Sequence, residues 1–380
     1  MPLWAHVVWK GSAGETGEAV NEGEGAVPHN APRGAGIREV ARQAGVSTAT
    51  VSRVFNNADS VNLETRQRVM ELAASLNYSP SPLGRNLVQG RSSLIGLLVP
   101  NLSFPLYGEM IRAVEDVLSA HGMSVLLASS HDDAVTETRA AHNLLRHAVD
   151  GGIVINSQAG SGLPTVRGMN WVQVAPELPT VPHRVELDNE SGGRLAAREL
   201  LRCGRRQLAY VGAAGRESAD RERGFAAELA QAGLSYRRFM GDYSEASGLM
   251  AAETLLKQDG EPSPDGIFAA GDLMAAGVLR TLHLRGLRVP ADVAVVGFDD
   301  AVIASLLYPR LTSIRQPADL MGQAAAELVL SLLAGRPRPP QIFAPTLVCR
   351  ESTGPPDQHS PALLSSAAPS PAFSLLEEEP

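Results

Sequence analysis

The chain has 380 residues, more than one ordinary core needs and enough for two or three folded units. Its 33 basic and 41 acidic residues leave a net charge of −8, which taken as a whole argues against a general polyanion binder. Only two cysteines occur, Cys203 and Cys349, so far apart that neither a disulfide framework nor a cysteine metal site is suggested, and a reducing cytoplasm fits.

Residues 1–35 are rich in Gly, Ala and Glu without helical or strand period and predict a disordered extension. Trp4, His6, Val7 and Val8 precede a single Lys10, without the basic start and sustained apolar run of a signal peptide. No apolar stretch approaches the ~20 residues that span a bilayer, so the expectation is a soluble cytoplasmic protein.

Residues 36–91 reverse the overall charge: seven arginines stand against four acids, so the remainder is the more acidic. Ile37, Val40, Ala41 and Ala44 fall at i, i+3, i+4 and i+7, the apolar face of a short helix. Gly45 supplies a left-handed stop, Val46 fills the turn, and Ser47 caps a second helix over 48–55. That geometry presents a second helix to a major groove, with Thr48, Ala49, Ser52 and Arg53 away from the core and Arg53 able to donate two bonds to guanine. By periodicity alone, an ordinary helix pair with a solvated face fits equally well. A third helix, capped by Asn62, is predicted from Leu63 to Tyr78, closing a helix-turn-helix domain over 36–80. Pro80 and Pro82 then introduce a segment, 81–92, too short to hold a helix alone; it would fold only against DNA or a partner.

From Leu94 the pattern changes. Apolar runs at 95–99, 124–128, 152–155, 171–174, 207–211, 266–269 and 294–298 alternate with helical stretches such as 107–120 and 137–147. Nearly all-apolar strands separated by helices predict parallel doubly wound sheets, and about 260 residues of this pattern predict two lobes with a cleft. The unit is expected over 93–352. Residues 353–380, dominated by Pro, Ser and Ala and closing on Glu377, Glu378 and Glu379, predict a disordered tail.

Val40-Ala41, Ala44-Gly45-Val46-Ser47, Thr50-Val51-Ser52-Arg53-Val54, Thr65-Arg66, Leu76-Asn77-Tyr78 and Pro80, then Leu87 and Gly90-Arg91-Ser92, closely resemble the head of the lactose-repressor (LacI/GalR) family, and the resemblance runs to about Arg350. It implies an all-α helix-turn-helix head on an α/β two-lobed, periplasmic-binding-protein-like body, in a homodimeric repressor of a near-palindromic double-stranded DNA operator. Thr48 and Ala49 match positions that vary with operator sequence, and Arg53 matches a base-reading arginine. Ser47, Thr50, Ser52 and Asn56 match positions that approach phosphates or backbone. Leu87 matches a lever pushed into the minor groove. Two departures stand out: Gly36 replaces the usual threonine cap, and Gly84 lowers hinge-helix propensity.

For the body, the resemblance implies a pocket for a sugar or sugar derivative. Its expected contacts are Tyr107, Asn156, Arg221 (in Arg221-Glu222-Arg223-Gly224-Phe225), Tyr243, Asp272, Asp299 and Gln316. An arginine with carboxylates offers paired donors and acceptors to hydroxyls, and the tyrosines offer faces for stacking. Asp272 and Asp300 have a second reading, as caps of following helices. Asn101, Phe104 and Gly271 depart from common family choices. Two other classes compete. A periplasmic-type solute-binding protein shares the body but has no use for residues 36–91. An enzyme finds no support, with no GxGxxG after a strand, no phosphate loop and no nucleophile elbow. His131, His142 and His147 read as solvated surface histidines, and no cofactor or metal is expected.

Overall fold

The computed structural model describes residues 36–55, 61–78, 91–158, 162–163, 171–178, 181–257 and 262–354. The expected extension (1–35), most of the hinge with Gly84 and Leu87, Asn56, and the tail beyond 354 lie outside the described residues. The chain divides into an N-terminal unit and a larger C-terminal unit.

In the N-terminal unit Gly45 takes φ 65° and ψ 32°, and this left-handed residue ends α1 (Ile37–Ala44). Ser47 Oγ then accepts from the Thr50 amide at 3.1 Å and starts α2 (Thr48–Phe55). Asn62 Oδ1 accepts from the Thr65 amide at 2.8 Å and starts α3 (Leu63–Ser75). This helix stops three residues before the predicted end. Asn77 is left-handed at φ 51°, and the Tyr78 and Asn77 amides turn back to the carbonyls of Ala73 and Ala74. Tyr78 instead packs edge-on against Phe55, ring centroids 5.7 Å apart. Val40, Ala41, Ala44, Val51, Val54, Val69 and Ala73 form the buried centre. Gly36 makes no side-chain cap, as its lack of a side chain dictates.

The C-terminal unit holds two six-stranded sheets. In chain order its elements are β1 (Leu94–Val99), α4 (Pro105–Ala120), β2 (Ser124–Ser129), α5 (Ala134–Arg146), β3 (Gly151–Ile155), β4 (Trp171–Val174), β5 (Arg184–Leu187) and α6 (Asn189–Arg202). There follow β6 (Leu208–Ala213), α7 (Arg216–Gln231), β7 (Tyr236–Gly241), α8 (Glu245–Lys257), β8 (Gly266–Ala269), α9 (Asp272–Leu284) and β9 (Ala294–Asp299). The chain closes with α10 (Val302–Leu306), β10 (Thr312–Arg315), α11 (Ala318–Leu333), β11 (Gln341–Phe343) and β12 (Thr346–Val348). The first lobe's sheet runs β11-β5-β4-β3-β1-β2 with every pairing parallel. The second runs β12-β10-β9-β8-β6-β7, parallel except for β12. The chain passes between lobes at 187–189, 315–318 and 343–346.

Two glycines set the geometry that matters for the cleft. A Cβ on Gly193 of α6 would lie 1.9 Å from the Arg221 carbonyl oxygen, and one on Gly224 of α7 would lie 1.9 Å from that of Glu190. Their absence lets the two helix backbones touch, which brings the start of α6 beside the first turns of α7.

Candidate functional site

On α2, Thr48, Ala49 and Arg53 are exposed, and Ser47 stands exposed at the cap. Thr50 and Ser52 are half-buried, and Thr50 Oγ1 lies 2.9 Å from Ser47 Oγ. Val51 and Val54 face the core. The residues expected to read bases are therefore open to solvent, and Thr50 braces the Ser47 cap.

Between the lobes lies a cavity of about 710 Å³, the size of a small-molecule site. Tyr107, Asn156, Arg221, Tyr243, Asp299 and Gln316 line it together, although they come from both lobes and from positions as far apart as α4 and the crossing at 315–318. Asn101 and Phe104, in the loop after β1, line it as well.

Arg221 is buried and held from several sides. Its Nε donates to Asn189 Oδ1 at 2.7 Å, Nη1 donates to the Ala270 carbonyl at 2.5 Å, and Nη2 lies 3.5 Å from Glu217 Oε1. Its guanidinium carbon stands 3.7 Å from the centroid of the Phe298 ring. Such a fixed fork presents donors at a set angle without further ordering cost.

Asp299 ends β9 with φ 107°, a left-handed backbone that any residue but glycine adopts only under constraint. Oδ1 accepts from Gln316 Nε2 at 2.6 Å. Burial pushes the carboxyl up to about 7; Arg221 and Gln316 act against that rise, and Glu217 adds to it. Burial also raises Glu217, against the pull of Arg221. Tyr107 and Tyr243 are raised by burial and stay neutral, so their hydroxyls remain donors. The Tyr107 hydroxyl is hydrogen-bonded with Asn156. Beside Tyr243, a Cβ on Gly271 would come 3.2 Å from the ring, so glycine there gives the tyrosine its place.

Asp272 requires a correction. It does not line the cavity: Oδ2 accepts from the Ala301 amide at 2.8 Å and Oδ1 from Ser313 Oγ at 2.6 Å. Both carboxylate oxygens thus tie α9 to the end of the second sheet. It does not cap its own helix either, where Gly271 holds the cap position. Asp300 makes ion pairs with Arg315 and Arg350 at 2.7 and 2.6 Å. His131, His142 and His147 are exposed, and no cluster that could hold a metal ion occurs among the described residues.

Sequence reasoning missed Asp132, Gln158, Glu177, Glu217, Asp242 and Ser244, all on the cavity wall. Glu217 was findable, because it lies one helical turn before Arg221 on the same face. The others sit in loops after strand ends, where no periodicity marks direction.

A helix-turn-helix head carried with a two-lobed body that encloses a polar and aromatic cavity defines a DNA-binding regulator with a small-molecule sensor. Residues 36–81 match the family described as bacterial regulatory proteins, lacI family, and residues 197–353 match the periplasmic binding protein-like domain. The ribose operon repressor of Halalkalibacterium halodurans is 33% identical over 83% of this chain and 96% of its own length. The regulator GalR of Escherichia coli K12 is 33% identical over 84% of this chain and 96% of its own. Among solved structures, the lac repressor dimer bound to operator and the anti-inducer ONPF aligns with TM-score 0.78 at 28% identity, over 85% of this chain and all of that one. The complex of the regulator CelR with cellobiose aligns with TM-score 0.63 at 31% identity, over 84% and 99%.

The chain belongs to the lacI family of DNA-binding transcriptional regulators. A solute-binding protein without a DNA-binding role is thereby set aside, and the relatives are regulators rather than enzymes. No helix among the described residues is long and apolar enough to cross a membrane.

Proposed function

We propose that the protein acts in the cytoplasm as a homodimeric repressor of a near-palindromic DNA operator, and that a sugar or sugar derivative in the inter-lobe cavity lowers its affinity for that operator. In this proposal residues 36–80 form the reading head, 81–92 the hinge and 93–352 the sensor and dimerising body. Thr48, Ala49 and Arg53 face bases, Ser47, Thr50, Ser52 and Asn56 face the backbone, and Leu87 enters the minor groove. The observation that carries the sensor role is the convergence of Arg221, Asp299, Gln316, Asn156, Tyr107 and Tyr243 on one cavity. A two-fold dimer would set two recognition helices in successive major grooves, and a ligand favouring one arrangement of the lobes would shift operator affinity by its difference in affinity for the two.

A gel-shift titration on the promoter beside the protein's own gene tests the head. Arg53→Ala is expected to weaken specific binding by about tenfold or more, since a bidentate base contact is worth roughly 1–3 kcal/mol. Binding unchanged by that substitution sinks the assignment of Arg53. A thermal-shift screen of sugars and nucleosides then finds the effector, and a hit that leaves the gel shift untouched counts against the cavity as the sensor.

A further inference from the structure

The cavity is more acidic than a site for neutral polyols requires. Asp132, Glu177, Glu217, Asp242 and Asp299 line it, against Arg221 as the one basic side chain on its wall among the described residues. Three of the five carboxylates are engaged by uncharged donors: Glu177 accepts the Arg216 backbone amide at 2.9 and 3.1 Å, Asp242 the Ser244 amide at 2.9 Å, and Asp299 the Gln316 side-chain amide at 2.6 Å. Arg216 is not on the cavity wall: its guanidinium is directed to the Pro176 carbonyl, Glu186 and Asp220 at 2.9, 3.2 and 3.4 Å, and it acts on Glu217 only as a nearby charge. Arg221 is already met by Glu217, Asn189, Ala270 and the Phe298 ring.

Asp132, Glu217 and Asp299 thus line the same cavity, and among the described residues on its wall Arg221 is the one cation set against them. Burial raises all three carboxyls, outweighing His131 at Asp132, Arg221 and Arg216 at Glu217, and Arg221 and Gln316 at Asp299. All three share the cavity with Tyr107, whose hydroxyl they help to keep neutral. Phe104 and Tyr107, ring centroids 5.0 Å apart, with Tyr243, add aromatic faces, which attract cations as well as sugar rings.

Resting on the sensor role proposed above, we infer that the effector is a polyhydroxyl compound carrying a protonated amine, with the ammonium held by Glu217, Asp299 and Asp132. Its hydroxyls pair with Arg221, Asn156 and Gln316. A phosphate or carboxylate on the ligand meets repulsion from the same acids, so sugar phosphates and sugar acids are rejected.

The test titrates full-length protein by calorimetry at neutral pH with three matched sets. Glucosamine, galactosamine and N-methylglucamine form the first; glucose, galactose and sorbitol the second; glucose 6-phosphate and gluconate the third. At least one amine is expected to bind about tenfold more tightly than its neutral parent, as a charge-assisted hydrogen bond in a buried site allows, and the anions not at all. Glu217→Gln, which keeps shape and the Asn189 contact, is expected to erase that preference; Asp132→Asn at the rim, where folding is not at stake, is expected to halve or further reduce it. The inference is overturned if neutral or anionic compounds bind as tightly as the amines, if no amine binds, or if both variants keep the full preference. A neutral sugar that binds and releases operator overturns the amine while leaving the proposed function standing. Tight amine binding with no effect on operator does the reverse.

Discussion

The Gln316 side-chain amide donates to Asp299 Oδ1 at 2.6 Å, joining the end of β9 to the strand of chain that leaves the second lobe. The pair therefore couples a cavity carboxylate to an inter-lobe crossing. A ligand that engages Asp299 acts on the segment whose backbone must move if the lobes reorient.

Because Asp299 is held at about 7 in the folded body, against roughly 3.9 in an unfolded chain, the folded state keeps a proton the unfolded state has lost. Its contribution to stability is therefore retained below about pH 4 and declines as pH rises toward 7. Asp299→Asn removes this decline. Thermal unfolding without ligand is expected to show the variant melting above wild type at pH 8, the gap narrowing as pH falls and closing at about pH 4, while ligand binding is lost. Parallel melting curves at both pH values would show that Asp299 does not carry the proton.

Arg221 makes directed bonds that lysine cannot reproduce, to Asn189 and Ala270 together with the approach to Glu217. Arg221→Lys keeps the positive charge and abandons the fork. Effector response in the gel shift is expected to fall by at least about tenfold while operator affinity without effector stays within about twofold, one lost charge-assisted bond being worth about 1.5–3 kcal/mol. Equal losses in both would place Arg221 in the fold rather than in ligand sensing.

The helical head was legible because each of its signals is local. Ile37 to Ala44 at one face, Gly45 and Ser47 name the elements without reference to anything distant. The strands were legible where burial on both faces leaves them wholly apolar, as in β3, β6 and β9. Strands β5, β7 and β10 escaped notice for the opposite reason. Arg184 and Glu186 pair with each other at 2.9 Å inside β5, β7 carries Arg237 and Arg238 at a sheet edge, and Thr312 and Ser313 of β10 bury their hydroxyls against Arg350, Thr353 and Asp272. In β10 the polar partners come from far along the chain, and in β5 charged residues that alternate with apolar ones read as a solvated segment, so neither could be recognised locally as buried. The same limit applies to the cavity. Arg221 and Asp299 stood out through family resemblance, whereas whether Asp272 or Glu217 turned inward depended on contacts with Ser313 and Asn189 that only the fold creates.

The contact of α6 with α7 depends on two hydrogens. Gly224→Ala would set a methyl 1.9 Å from the Glu190 carbonyl oxygen, a backbone atom that cannot swing away. The helices must part, carrying Asn189 from Arg221. Urea unfolding is expected to show a loss of about 3 kcal/mol or more, the upper range for overpacking. Operator binding by the head is expected to survive wherever the protein remains folded, and effector response to be lost. A loss below about 1 kcal/mol would mean the helices do not touch as described.

Glu137 never reaches the cavity, yet it shapes one wall. It is fully buried on α5, and its carboxylate accepts from Ser157 Oγ at 2.5 Å and from the Gln158 amide at 2.8 Å. Those contacts fix the turn after β3 that carries Asn156, left-handed at φ 48°, and Gln158 into the cavity. Glu137→Gln retains size and an acceptor for the Gln158 amide, but it removes the charge that strengthens both bonds and makes the Ser157 hydroxyl turn round to accept. Ligand affinity is expected to drop roughly fivefold, the effect of about 1 kcal/mol, with operator affinity in the absence of ligand unchanged. Calorimetry with whichever compound raises the melting temperature makes the measurement. An unaltered dissociation constant alongside reduced stability would show that the turn holds its shape without Glu137, and that the residue serves packing alone.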